Sequence, residues 1–286
     1  MTIASVCYSK NIGRAYAHIL SSNENASLLA IFYQIQTEAE LAQRTHPSSI
    51  ALAQEHAENA LELLREDWTN STADKAIVVN DIASILYALD YSVKQDSLDA
   101  DVEKIVNDLH SAIDEFVYVY VGESILDSPA VQALALVDIT NVVDSRYASA
   151  FGTYSSKMPT AVGMSEMMTN MMTNNNTFNI KANNSEKPSL AQENNNNTHN
   201  HTSFNTLTNI SDYQTAQALA IQAQTIFNNR LATKAFPNMT TSTILQLNEG
   251  FDMLRASINN KTSYGDVMTI IHGRIHPLLI RANNLM

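Results

Sequence analysis

The stretch Asp101-Val102-Glu103-Lys104-Ile105-Val106-Asn107-Asp108-Leu109-His110-Ser111-Ala112-Ile113-Asp114-Glu115-Phe116-Val117-Tyr118-Val119-Tyr120 decides the fold. Val102, Ile105, Val106, Leu109, Ile113, Phe116, Val117 and Tyr120 recur every three or four residues, while Asp101, Glu103, Lys104, Asp108 and Asp114 fall between them. That spacing draws one apolar stripe along an α-helix and turns the charges outward. The same periodicity runs through most of residues 24–150 and 210–285, and strand-like alternation is absent from the sequence.

Residues whose side-chain oxygens can accept from the unpaired N–H groups of a first helical turn stand where these patterns begin. They are Asn25 or Ser27, Ser48 or Ser49, Thr72, Asp99, Ser128 before Pro129, Ser211 or Asp212, Thr240 and Ser263. Helices are therefore expected near 24–44, 47–67, 72–94, 99–121, 129–150, 211–232, 241–259 and 264–284, with a shorter one near 10–21. Only 7 glycines and 6 prolines in 286 residues agree with long uninterrupted helices and disfavour a turn-rich β architecture.

Laid over each other, the two halves match. Ala51-Leu52-Ala53 returns as Ala218-Leu219-Ala220. Val79-Asn80-Asp81, Ile85-Leu86 and Ala88 return as Leu247-Asn248-Glu249, Met253-Leu254 and Ala256. Leu109-His110 returns as Ile275-His276, and Asp101-Val102 as Asp266-Val267 one residue out of step. The offset stays near 167, which points to internal duplication.

The fold expected is all-α: two tandem up-and-down four-helix bundles, over 24–122 and 128–286, preceded by an N-terminal segment at 1–23. The second bundle is interrupted at 152–209. That interruption holds Asn174-Asn175-Asn176 and Asn194-Asn195-Asn196-Asn197 and few aliphatic residues, a composition expected to stay unstructured.

Composition restricts the function. A formal charge of −12 with only 17 lysines and arginines disfavours a nucleic-acid partner. The single cysteine, Cys7, excludes an internal disulfide framework and cysteine-based zinc or iron–sulfur sites. No run approaches the roughly eighteen apolar residues of a membrane span, and the first residues do not form an export signal.

Catalytic motifs are missing: there is no glycine-rich phosphate loop, no Gly-x-Ser-x-Gly elbow, no His-Glu-x-x-His pair and no histidine with Glu three residues before it. The chain is accordingly expected not to be an enzyme. Glu55, Glu58 and Glu62, and Glu66 with Asp67, lie at helical spacing and fit solvated faces.

Two constellations could hold a metal. Met158, Met164, Met167, Met168, Met171 and Met172 open the insertion, and His199 and His201 follow them. Thioethers suit Cu(I) and imidazoles accept either copper state; the competing reading is a methionine-rich helical turn filling apolar gaps. The second set is His110 with its repeat-mate His276, His272 one turn earlier, and His46 and His56 on or before a neighbouring helix. An i, i+4 histidine pair can chelate a divalent ion, although a repeated histidine also serves as a hydrogen-bonded packing residue.

Asn-x-Ser/Thr sequons at Asn25, Asn70, Asn175, Asn183, Asn196, Asn200, Asn209, Asn238 and Asn260 suit an exported protein. Ser211-Asp212-Tyr213-Gln214-Thr215-Ala216-Gln217-Ala218-Leu219-Ala220, the closing Val267-Met268-Thr269-Ile270-Ile271-His272-Gly273-Arg274-Ile275-His276-Pro277 and the Asn/Met-rich stretch between them carry a resemblance. The chain resembles a group of exported helical proteins from ammonia-oxidising archaea whose function is unknown. In architecture it is also similar to the duplicated four-helix modules of imelysin-like and iron-permease extracytoplasmic domains, which implies iron or copper handling outside the cytoplasm.

The function expected is a non-enzymatic extracytoplasmic binding module for copper, another transition metal or a protein partner. The alternative is a structural or sensory bundle, outside or inside the cytoplasm, that takes a small molecule or a partner's helix in an apolar groove.

Overall fold

A computed structural model describes residues 24–68, 73–153, 206–233 and 239–285, with the side chains of 66–68 and 73–78 left out. Among the described residues every regular element is helical: α1 (Glu24–Thr45), α2 (Ile50–Trp68), α3 (Ala73–Lys94), α4 (Asp99–Phe116), α5 (Glu123–Leu126), α6 (Pro129–Ala150), α7 (Ile210–Ile226), α8 (Thr241–Asn259), α9 (Tyr264–Ile270) and α10 (His276–Ala282). Single π-turns follow α4 (Val117–Val121) and α7 (Phe227–Leu231), and one joins α9 to α10 (Ile271–Ile275). The chain is all-α, as its periodicity requires. The expected helix near 10–21, the start at Thr72 and the interior of the insertion lie outside the described residues.

Packing follows the chain twice. Helix α1 lies against α2 and α4, α2 against α3, and α3 against α4; α6 lies against α7 and the α9–α10 rod, and α7 and that rod both flank α8. The two sets meet where α1 packs on α6 and α7, so residues 24–153 and 207–285 belong to one compact unit with one continuous apolar core.

At the centre α1 and α6 are buried almost all round. Such helices must dispose of their polar side chains within the protein, and several do so on their own backbone. Gln34 donates to the Ala30 carbonyl, Thr37 to Tyr33, Thr45 to Leu41 and Thr140 to Leu136.

The two sets end their third helix in the same way. After α3 the Ser97 N–H donates to the Ser92 carbonyl and Asp96 N–H to Val93, with Asp96 at φ +51°. After α8 the Thr262 N–H donates to Ser257 and Lys261 N–H to Ile258, with Lys261 at φ +52°. Both are Schellman closures, in which a left-handed residue lets two N–H groups reach back to the last carbonyls.

This shared turn fixes a register. Ile82, Leu86, Leu89 and Val93 stand where Leu247, Phe251, Leu254 and Ile258 stand, all fully buried. The sequence match aligned Leu86 with Leu254, whereas the structure lines it up with Phe251. The difference is three residues, close to one turn, which a helical period cannot distinguish.

The out-of-step residue has a physical location. Between Val267 and Ile275 the backbone forms the π-turn, with the His276 N–H reaching back to the Ile271 carbonyl. A π-turn accommodates one extra residue without ending the helix. Beyond it Ile275 is as fully buried as Leu109.

Candidate functional site

The most developed polar centre lies where the two sets of helices meet. Glu38 of α1, 1% exposed in its side chain, accepts from His56 Nδ1 of α2 at 2.7 Å and from the Thr215 hydroxyl of α7 at 2.9 Å. The second nitrogen of His56 faces Gln214 Oε1 at 3.0 Å, so both of its ring nitrogens meet acceptors. Arg146 of α6 lies 3.9 Å from Glu38 and bonds Asp212 Oδ1 at 2.6 Å.

Asp212 also accepts from the Ser149 hydroxyl and from Asn209 Nδ2. Burial works against the charge on Arg146, but Glu38 and Asp212 outweigh it and hold its pKa above the ordinary value. Glu38, His56, Arg146 and Asp212 are thus partnered inside the protein by one another, and the network ties α1, α2, α6 and α7 together.

Sequence reading did not find this centre. Glu38 occupies a place on the inner stripe of α1, three residues after Ile35 and four before Ala42. Nothing in its neighbours marks it as paired. The sequence offers Ser211 or Asp212 as the cap of α7; the cap is Asn209, whose side-chain oxygen accepts the Asp212 N–H at 3.0 Å. Asp99 likewise lies one residue inside α4, after Leu98, and bonds His46 instead of capping. Thr240 and Ser263 do cap α8 and α9.

The histidines read as metal candidates are distributed among different carboxylates. His46 Nδ1 bonds Asp99 at 2.7 Å, His56 bonds Glu38, His110 lies 3.3 Å from Glu40, and His272 lies 3.6 Å from Asp144. Among the described histidines His272 and His276 adjoin, ring edge to ring face at 4.8 Å between centroids. His276 is fully buried and shares a 2.8 Å hydrogen bond with the Thr140 hydroxyl. Burial first, and then His272, push its pKa well below the usual histidine value, so the ring is neutral at pH 7.

Among the described residues no group of three His, Cys, Asp or Glu side chains is arranged to hold a metal ion. Met158, Met164, Met167, Met168, Met171, Met172, His199 and His201 lie outside the described residues. No described helix is long and apolar enough to cross a membrane.

Asp138 of α6 is buried, and the Ser27 hydroxyl donates to its carboxylate at 3.2 Å. Burial raises its pKa from 3.8 to about 6, with the Ser27 bond opposing. Folding therefore disfavours the ionised form: the penalty is absent below pH 3.8, grows between there and about pH 6, and is complete above it. Asp138→Asn keeps an acceptor for Ser27 and removes the charge. It is expected to stabilise the fold by about 3 kcal/mol at pH 7 and not at all below pH 4; urea unfolding at the two pH values measures both.

No protein-family model, no curated protein and no solved structure matches this chain.

Proposed function

We propose that this chain is a non-enzymatic helical binding module whose packed helices frame a Met/His-bearing segment that takes a copper ion. The observation that supports it is the way the frame holds the two ends of that segment. The Ala150 carbonyl, at the end of α6, accepts from the N–H groups of Thr208 and Asn209 and from the Thr208 hydroxyl. Thr153 N–H turns back to Ala148, and Gly152 reverses the chain at φ +63° beside Thr208. The chain therefore leaves and re-enters the helices at one pinned point.

Inside the frame Glu38, His56, Arg146 and Asp212 are occupied with each other, which supports a scaffold. The soft ligands of the sequence stand instead between Thr153 and Leu207: Met158, Met164, Met167, Met168, Met171, Met172, His199 and His201. Thioether and imidazole donors suit Cu(I). In this reading the chain belongs with the exported archaeal helical proteins that it resembles and works outside the cytoplasm. The exposed sequon at Asn260 agrees with that placement.

Titration with Cu(I) against a competing chelator tests it. Deleting 158–201 leaves the pinned stem in place and is expected to weaken binding at least about a hundredfold, the scale on which several metal ligands are lost together. Equal affinity in the two proteins would overturn the copper reading.

A second reading, a scaffold for a protein partner, is favoured by Tyr87 and Tyr91. They lie one turn apart on α3, half or more exposed, with Arg65 bonded to the Tyr87 hydroxyl at 2.9 Å.

A further inference from the structure

We propose that His272 and Asp144 form a second metal site, one for a borderline divalent cation such as Zn(II), built into the helices and separate from the methionine-rich segment. It extends the reading of the chain as a metal-binding module but uses none of the same residues.

The distance between the two groups is the first argument. His272 Nε2 and Asp144 Oδ2 are 3.6 Å apart, too long for a hydrogen bond. Two donors sharing one tetrahedral zinc, with bonds of about 2.0–2.2 Å, stand roughly 3.3–3.6 Å from each other. The pair is already spaced as two ligands of one ion.

The second argument is a carboxylate with unused capacity. Asp144 Oδ1 is buried and has no hydrogen-bond partner, while Oδ2 accepts from the Tyr264 hydroxyl at 3.1 Å. Among the described residues no lysine or arginine forms an ion pair with it. A buried carboxylate oxygen left without a donor is unfavourable, and a cation removes that penalty. The tyrosine would hold the carboxylate in place, as outer hydrogen bonds do around metal ligands.

The third argument is access and position. His272 is 21% exposed and Asp144 14%, so water reaches the pair and can complete the coordination. His272 lies inside the π-turn, and the one extra residue there rotates the helix beyond it by about 100° relative to an unbroken α-helix. His276, four residues on, lies against the His272 ring as a buried neutral wall. Two protein ligands with open positions suit Zn(II) better than Cu(I), since one donor is a carboxylate oxygen.

The test is zinc titration of the full chain by calorimetry, beside H272Q, D144N and the double variant H199A/H201A, each checked for wild-type helicity. Wild type and H199A/H201A are expected to bind zinc alike, with H272Q and D144N each at least about tenfold weaker. A zinc-dependent rise in melting temperature should accompany binding in wild type and vanish in H272Q, which covers the case in which D144N fails to fold. Zinc affinity unchanged in H272Q, or lost in H199A/H201A instead, overturns the proposal, as does the absence of zinc binding by wild type at millimolar metal. The Cu(I) comparison with the 158–201 deletion is independent of all these results.

Discussion

Replacing Glu38 by glutamine lowers the stability of the helical body by about 3–5 kcal/mol, the penalty of removing one member of a buried, hydrogen-bonded ion pair. Glutamine keeps the length of the side chain and can still accept from Thr215. What disappears is the negative charge that faces His56 at 2.7 Å and Arg146 at 3.9 Å. Arg146 then keeps its bond to Asp212 but loses the carboxylate beside it.

For a body of this size each kcal/mol moves the melting temperature by about 2–4 °C, so a fall of roughly 10 °C is expected. His56→Leu alone should cost a similar amount by stranding Glu38. The Glu38→Gln/His56→Leu double variant should cost at least about 1 kcal/mol less than the sum of the two, because neither partner is left alone. Strict additivity would show that the pair is not coupled.

Leu86→Ala and Phe251→Ala probe whether the two sets of helices stand or fall together. Both side chains are fully buried, each at the same height above its Schellman turn, and Phe251 packs on Phe227 with ring centroids 5.5 Å apart. Truncation should cost about 2–5 kcal/mol at Leu86 and 3–5 kcal/mol at Phe251, the transfer energy plus that of the cavity left behind. Since α1 and α6 seal one continuous core, each variant is expected to move a single melting transition. Two separated transitions, with only one displaced by each substitution, would mean that the sets unfold independently.

Much of the helical framework was legible because apolar period and caps act within a few residues. Pro129–Ala150 and Thr241–Asn259 begin directly after Ser128 and Thr240 as expected, whereas Glu24–Thr45 starts ahead of Asn25 and Ser27, which lie within the helix. The short α5 and the π-turns were not legible: no side chain announces one extra residue in a helix, although the slip between Asp101/Asp266 and Leu109/Ile275 was its trace.

The alignment of Leu86 with Leu254 failed for a related reason, since the Schellman turn and not the residue types sets the register there. The polar centre was hidden because Glu38, His56, Arg146 and Thr215 are distant in sequence, and the packing of α1 on α2, α6 and α7 brings them together. Pairing between helices has no local signature.

Gly152 and Thr208 sit side by side at the end of α6, so the stretch between them joins two neighbouring points. The entropy of joining two neighbouring points varies only with the logarithm of the chain between them, about 0.6 kcal/mol for each doubling or halving. Relatives could trim or extend this stretch severalfold while every interior side chain keeps its place, and a foreign domain with adjacent termini could be grafted there as readily.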